Sequence, residues 1–90
     1  MGEAVRVWLA ERTYSDDEQN VVILEYATPE GDRYLRKELA AGAALDRPTP
    51  VSITVDPDRL APVQNEAVRE RYAATVAETR ADHDVDDTLE

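Results

Sequence analysis

Ninety residues carry twenty acidic and ten basic side chains, for a net charge of −10. That length limits the chain to one small domain, which buries somewhat over ~60% of its unfolded surface. The absence of cysteine excludes disulfides, thiol chemistry and cysteine-ligated metal.

Met1-Gly2-Glu3-Ala4 has no basic segment leading into an apolar core, so it does not read as a signal peptide. Val5-Arg6 stands where a myristoylation motif requires a small hydroxyl residue. From Ala4 to Thr13 the chain alternates, with Val5, Val7 and Leu9 on one side and Arg6, Trp8, Ala10 and Arg12 on the other. Period two predicts a half-buried strand. Two readings of Trp8 follow. The indole packs beneath arginine stems or a helix with cation–π contact, or it is an exposed recognition aromatic. The first is favoured, because large aromatics are mostly buried.

Tyr14–Asn20 is rich in turn formers and reads as a loop. Its Asp16-Asp17-Glu18 lacks the spacing of a calcium loop. Val21–Thr28 holds four consecutive large aliphatic residues, three of them β-branched, followed closely by Tyr26. It is far short of the ~20 apolar residues of a membrane span and reads as the central strand of the sheet. The following Thr28-Pro29-Glu30-Gly31-Asp32 suits a type I turn with glycine in the left-handed region. With Thr28 opposite Asp32, Tyr26 would face Tyr34 across the hairpin and Val21 would face Leu39.

Two readings compete for Arg33–Leu39. Strong helix formers, Asp32 as N-cap and Leu35 and Leu39 four apart favour a helix. The hairpin chemistry in front favours a third strand, by a narrow margin. Ala40–Leu45 would then form a single helical turn. Asp46–Pro50 contains two prolines and is a stiff connector. Val51–Val55 alternates and is rich in β-branched residues, which predicts a strand. Asp56-Pro57-Asp58 ends it, with Asp58 or Asp56 as the cap of a short turn through Leu60, and Leu60 and Val63 plug one end of the core. Asn65 is a suitable N-cap for a helix to about Ala81, whose stripe of Val68, Tyr72 and Val76 should lie on the sheet. The acidic segment 82–90 offers little to bury and reads as a disordered tail. Its terminal Leu89-Glu90 also fits a cloning scar.

The pattern predicts an α+β fold over residues 1–81. A mainly antiparallel sheet of three or four strands carries a C-terminal helix on one face and leaves the other face bare. Trp8, Leu24, Tyr26 and Tyr34 fall partly on that bare face.

Nine of the ten cations are arginine and only Lys37 is lysine, beside thirteen alanines and no phenylalanine. This composition resembles that of small acidic proteins from salt-in halophilic archaea. The resemblance covers no motif, and it implies a cytosol of molar salt; the rival reading of the same composition is an acidic mesophilic protein that binds a basic partner. There the Debye length falls to about 3 Å and carboxylates cease to repel one another. It also makes clustered Asp and Glu the background, so acidic clusters alone mark no site.

Little points to chemistry. His83, the single histidine, lies in the tail, and no named carboxylate pair stands out among twenty. The three glycines are too scattered for a phosphate loop. No cofactor, metal or small-molecule ligand is expected, and Asp82, His83, Asp84, Asp86 and Asp87 read as a solvated cluster without a rigid frame. The expected function is a soluble, cytoplasmic, non-enzymatic protein-interaction module, with self-association or a protein partner at Trp8, Tyr26, Arg33, Tyr34, Arg36 and Lys37. The alternative is a nucleic-acid-associated regulator using the arginine–tyrosine patch. That patch is smaller than the basic stripe phosphate binding usually requires.

Overall fold

The computed structural model describes residues 3–15, 21–40 and 48–89. The expected Asp16-Asp17-Glu18 loop and the helical turn after Ala40 lie outside these residues. The strands are β1 (Val5–Ser15), β2 (Val21–Ala27), β3 (Arg33–Ala40), β4 (Thr49–Pro50), β5 (Ser52–Val55), β6 (Ala61–Pro62) and β7 (Thr88–Leu89). Among the described residues one α-helix, α1, spans Glu66–Asp82. Five strands form an antiparallel sheet in the order β5-β1-β2-β3-β6, and the helix packs on it, giving the α+β fold. Arg33–Leu39 is therefore strand. Its register partners on β2 outweigh the helix propensity of its residues.

β1 is longer than its alternation implied, because Tyr14 and Ser15 still pair with Val22 and Val21. The ladder shifts between Leu9 and Glu11. The extra residue at Ala10 is a β-bulge, which changes the phase of every side chain after it. Arg12 thus leaves the side of Trp8 and joins that of Leu9, where its guanidinium donates to Thr49 Oγ1 at 3.3 Å. Glu11 takes the helix side and meets Arg71 at 3.2 Å.

The β2–β3 register differs from expectation by one residue. Tyr26 faces Leu35, Ala27 faces Tyr34 and Val21 faces Ala40. The cause is the turn. Thr28 N–H donates to Arg33 O and Gly31 N–H donates to Thr28 O, so the loop holds four residues where three were counted. Gly31 adopts φ +74°, the left-handed conformation expected of it. The Thr28 hydroxyl donates to Asp32 Oδ1 at 2.7 Å and holds that carboxyl below its usual range. A one-residue slip exchanges faces. Tyr26 and Tyr34 consequently lie on opposite sides of the sheet, and Tyr34 meets Tyr72 of α1 instead, with ring centroids 6.1 Å apart.

The C-terminal half follows its local signals. Asp56 caps a 3-10 turn over Pro57–Arg59 by accepting from Asp58 N–H. Asn65 caps α1 by accepting from Val68 N–H. The stripe lies on the sheet as expected, with Tyr72 and Val76 buried. The acidic segment past the helix departs from the expected disorder. Asp84–Asp87 closes a turn, β7 pairs with β4, and Val51 N–H donates to Asp87 O. The backbone of Thr49–Val51 supplies partners for this segment, and Asp87 Oδ2 accepts from Asp84 N–H at 2.9 Å.

Both faces of the sheet are packed, which corrects the expectation of a bare one. Between α1 and the sheet Tyr72 and Val76 of the helix pack with Trp8, Ala27 and Val51, with Val63 and Val68 at their margin. On the opposite face Val7, Leu9, Leu24, Tyr26, Leu35 and Val55 form a second buried cluster, with Leu60 and Leu39 against it. Tyr26 is 1% and Leu24 2% exposed. Trp8 is buried beneath the Arg80 guanidinium, 5.7 Å from the ring centre, the cation–π packing expected for it.

Candidate functional site

The six candidate residues do not form one patch. Trp8 and Tyr26 are buried on opposite faces of the sheet. Alternation along β3 then divides the rest. Tyr34 and Arg36 point to the helix side, opposite Ala27 and Glu25, whereas Arg33 and Lys37 point to the other side with Leu35. Arg36 is paired with Glu38, two residues on and on its own face, at 3.1 Å. Two features remain accessible around Tyr34, and both belong to the β3 side of the molecule.

The first is a groove between β6 and the start of α1, about 460 Å³ in volume. Ala61, Pro62, Val63 and Val68 supply apolar walls, while Tyr34, Tyr72 and Glu25 supply aromatic and polar surface. The Tyr72 hydroxyl donates to Glu25 Oε1 at 2.9 Å. Burial and this neighbouring carboxylate raise the phenol's pKa to about 12. Arg71, 5.6 Å above the same ring, also holds Glu11. Tyr72 was read from the sequence as core alone, and Glu25 as part of a buried strand. Only the folded register puts them together.

The second feature is the outer edge of β3. β6 covers it only at Arg33 and Tyr34. Among the described residues no strand pairs with the outer edge from Leu35 to Ala40. The direction of its backbone groups follows from two bonds. Arg33 O accepts from Thr28 N–H and so faces β2, whereas Asp32 O accepts from Val63 N–H on the opposite side. Alternation then turns the N–H and C=O of Leu35, Lys37 and Leu39 toward β2 and those of Arg36, Glu38 and Ala40 outward. Such a row is a template for another strand. Arg36, Lys37 and Glu38 make it a charged template, which discourages indiscriminate pairing.

No group of three or more His, Cys, Asp or Glu side chains is placed to hold a metal among the described residues. No helix there is long and apolar enough to cross a membrane.

A small α+β domain with an aromatic groove beside a sheet edge that no described strand covers past Tyr34 is the class this geometry defines. The chain belongs to the family of unknown function DUF7967, whose model matches residues 1–89. No curated protein and no solved structure matches it.

Proposed function

We propose that this protein is a non-enzymatic interaction module of a halophilic cytosol, and that it receives a protein along β3. The observation that carries this reading is the outward row of backbone groups at Arg36, Glu38 and Ala40. A partner strand added there gains main-chain hydrogen bonds, and side-chain complementarity sets its identity. The groove at Tyr34 and Tyr72 lies beside the covered end of the same strand and extends the surface available to a partner. Nucleic-acid binding draws less support, because Arg36 is already engaged by Glu38 and Lys37 points to the other face.

Proline separates edge docking from everything else β3 does. Glu38 N–H points outward, so Glu38→Pro removes a donor from the edge and none from the β2–β3 ladder. Capture of a partner identified by mass spectrometry should be lost in Glu38→Pro while amide spectra of the domain persist. Equal capture by both proteins removes the reading, as does the absence of both capture and self-association. The halophilic setting has its own test. The melting midpoint should rise steeply with KCl, and a midpoint unchanged from millimolar to molar salt argues against it.

A further inference from the structure

We infer that the occupant of the β3 edge is the same edge of a second copy, paired antiparallel about a two-fold axis passing beside Lys37. This rests on the proposal above that the edge receives a protein. A two-fold axis normal to the sheet keeps the helix side of one copy beside the helix side of the other. It therefore sets outward residues against outward residues and leaves few registers. One sets Arg36 against the second copy's Arg36, cation on cation. Another sets Glu38 against Glu38. The register between them sets Arg36 against Glu38 and Glu38 against Arg36, and like charges directly opposite are avoided on that face.

This middle register agrees with several independent features of β3. Arg36 and Glu38 exchange reciprocal backbone hydrogen bonds with their counterparts, using the groups already aimed outward. Their side chains, about half exposed at 49% and 54% and 3.1 Å apart within one copy, join the second copy's pair as a ring of alternating charge. On the opposite face Leu35 meets the second copy's Leu39 on each side of the axis, which extends the apolar cluster around Leu24 and Tyr26 across the boundary. Lys37 meets Lys37 at the axis. That contact is the unfavourable element, muted at molar salt where the Debye length is about 3 Å. The same screening lets two chains of charge −10 approach one another. An interface of one short strand pair falls below about 1,200 Å², the class of weak, reversible association.

Sedimentation equilibrium of the whole chain in molar KCl, at sub-millimolar protein, tests the inference. Wild type should show a monomer–dimer equilibrium. Arg36→Glu alone and Glu38→Arg alone should each weaken it about threefold at that salt, because each sets like charges directly opposite one another. A mixture of those two single variants should form a heterodimer, and the double variant Arg36→Glu/Glu38→Arg should regain self-association. Both side chains are solvent-exposed, so the folded monomer should persist in every case, checked by its amide spectrum. Lys37→Leu should tighten the dimer. A wild type that stays monomeric, or charge variants that associate like wild type, overturns the inference. If wild type is monomeric while a different, identified protein is still captured and lost with Glu38→Pro, the second copy is excluded and the edge reading stands. If neither occurs, both fall.

Discussion

The two sides of the sheet are packed by different means. The side away from the helix is filled by aliphatic residues that adjacent strands bring together: Val7, Leu9, Leu24, Leu35 and Val55 around Tyr26. The helix side is filled by aromatics, alanine and two valines from distant parts of the chain: Trp8, Ala27, Val51, Tyr72 and Val76. The first is the ordinary product of period-two patterning. The second depends on exact docking, since aromatic rings and methyl groups fill space only where backbone approaches closely. One such approach is at Gly31. A Cβ placed there would lie 2.3 Å from Arg69 O and 2.8 Å from Ala73 N.

The largest effect should therefore come from the helix side. Gly31→Ala combines a positive φ with a collision against helix backbone, and a loss of about 3–5 kcal/mol is expected from denaturant unfolding. Leu24→Ala empties the centre of the other side and should cost about 3 kcal/mol. A Gly31→Ala loss below that of Leu24→Ala would mean that the helix is not held as tightly as the contact implies.

Alkaline titration probes a hydroxyl on each side. Tyr26, buried with its hydroxyl donating to Pro50 O at 2.8 Å, has its pKa raised to about 12 by desolvation. Tyr72 is raised to about 12 as well, by burial and by Glu25. A folded pKa above the unfolded value near ~10 means the stabilisation is complete below pH ~10 and fades as pH rises toward 12. For Tyr26 this amounts to about 2–3 kcal/mol. Melting midpoints of wild type, Tyr26→Phe and Tyr72→Phe across that range would apportion the effect. Both phenylalanine variants should lose less stability than wild type on going alkaline. The smallest effect is expected at the rim. Arg80→Gln removes the cation above Trp8 and should cost about 0.5–1 kcal/mol, with a shift in indole fluorescence.

Much of the architecture could be read in advance where a local rule acts alone. Asn65 and Asp56 cap what their side chains suit, Gly31 takes the left-handed conformation, and Val68, Tyr72 and Val76 form the stripe that meets the sheet. Features that depend on counting residues across a turn or a bulge could not. One extra loop residue moved Tyr34 to the other face from Tyr26, and one extra residue at Ala10 moved Arg12 away from Trp8. A linear chain shows neither insertion, because Pro29–Asp32 fits a three- or a four-residue connection equally well. The separation of Tyr26 from Tyr34 has the same cause, whereas plain alternation along β3 already sets Arg36 with Tyr34 on one face and Lys37 on the other. The groove pairs Glu25 with Tyr72 across 47 residues of sequence, a distance no local pattern spans.

Gly31 seated against the backbone of Arg69 and Ala73 has a kinetic consequence. The tip of the β2–β3 hairpin cannot lift without disturbing the helix, so the two should open as one cooperative unit. Amide protons of the hairpin tip and of the helix interior near Ala73 should then exchange with deuterium at a common opening free energy, although they lie some forty residues apart along the chain.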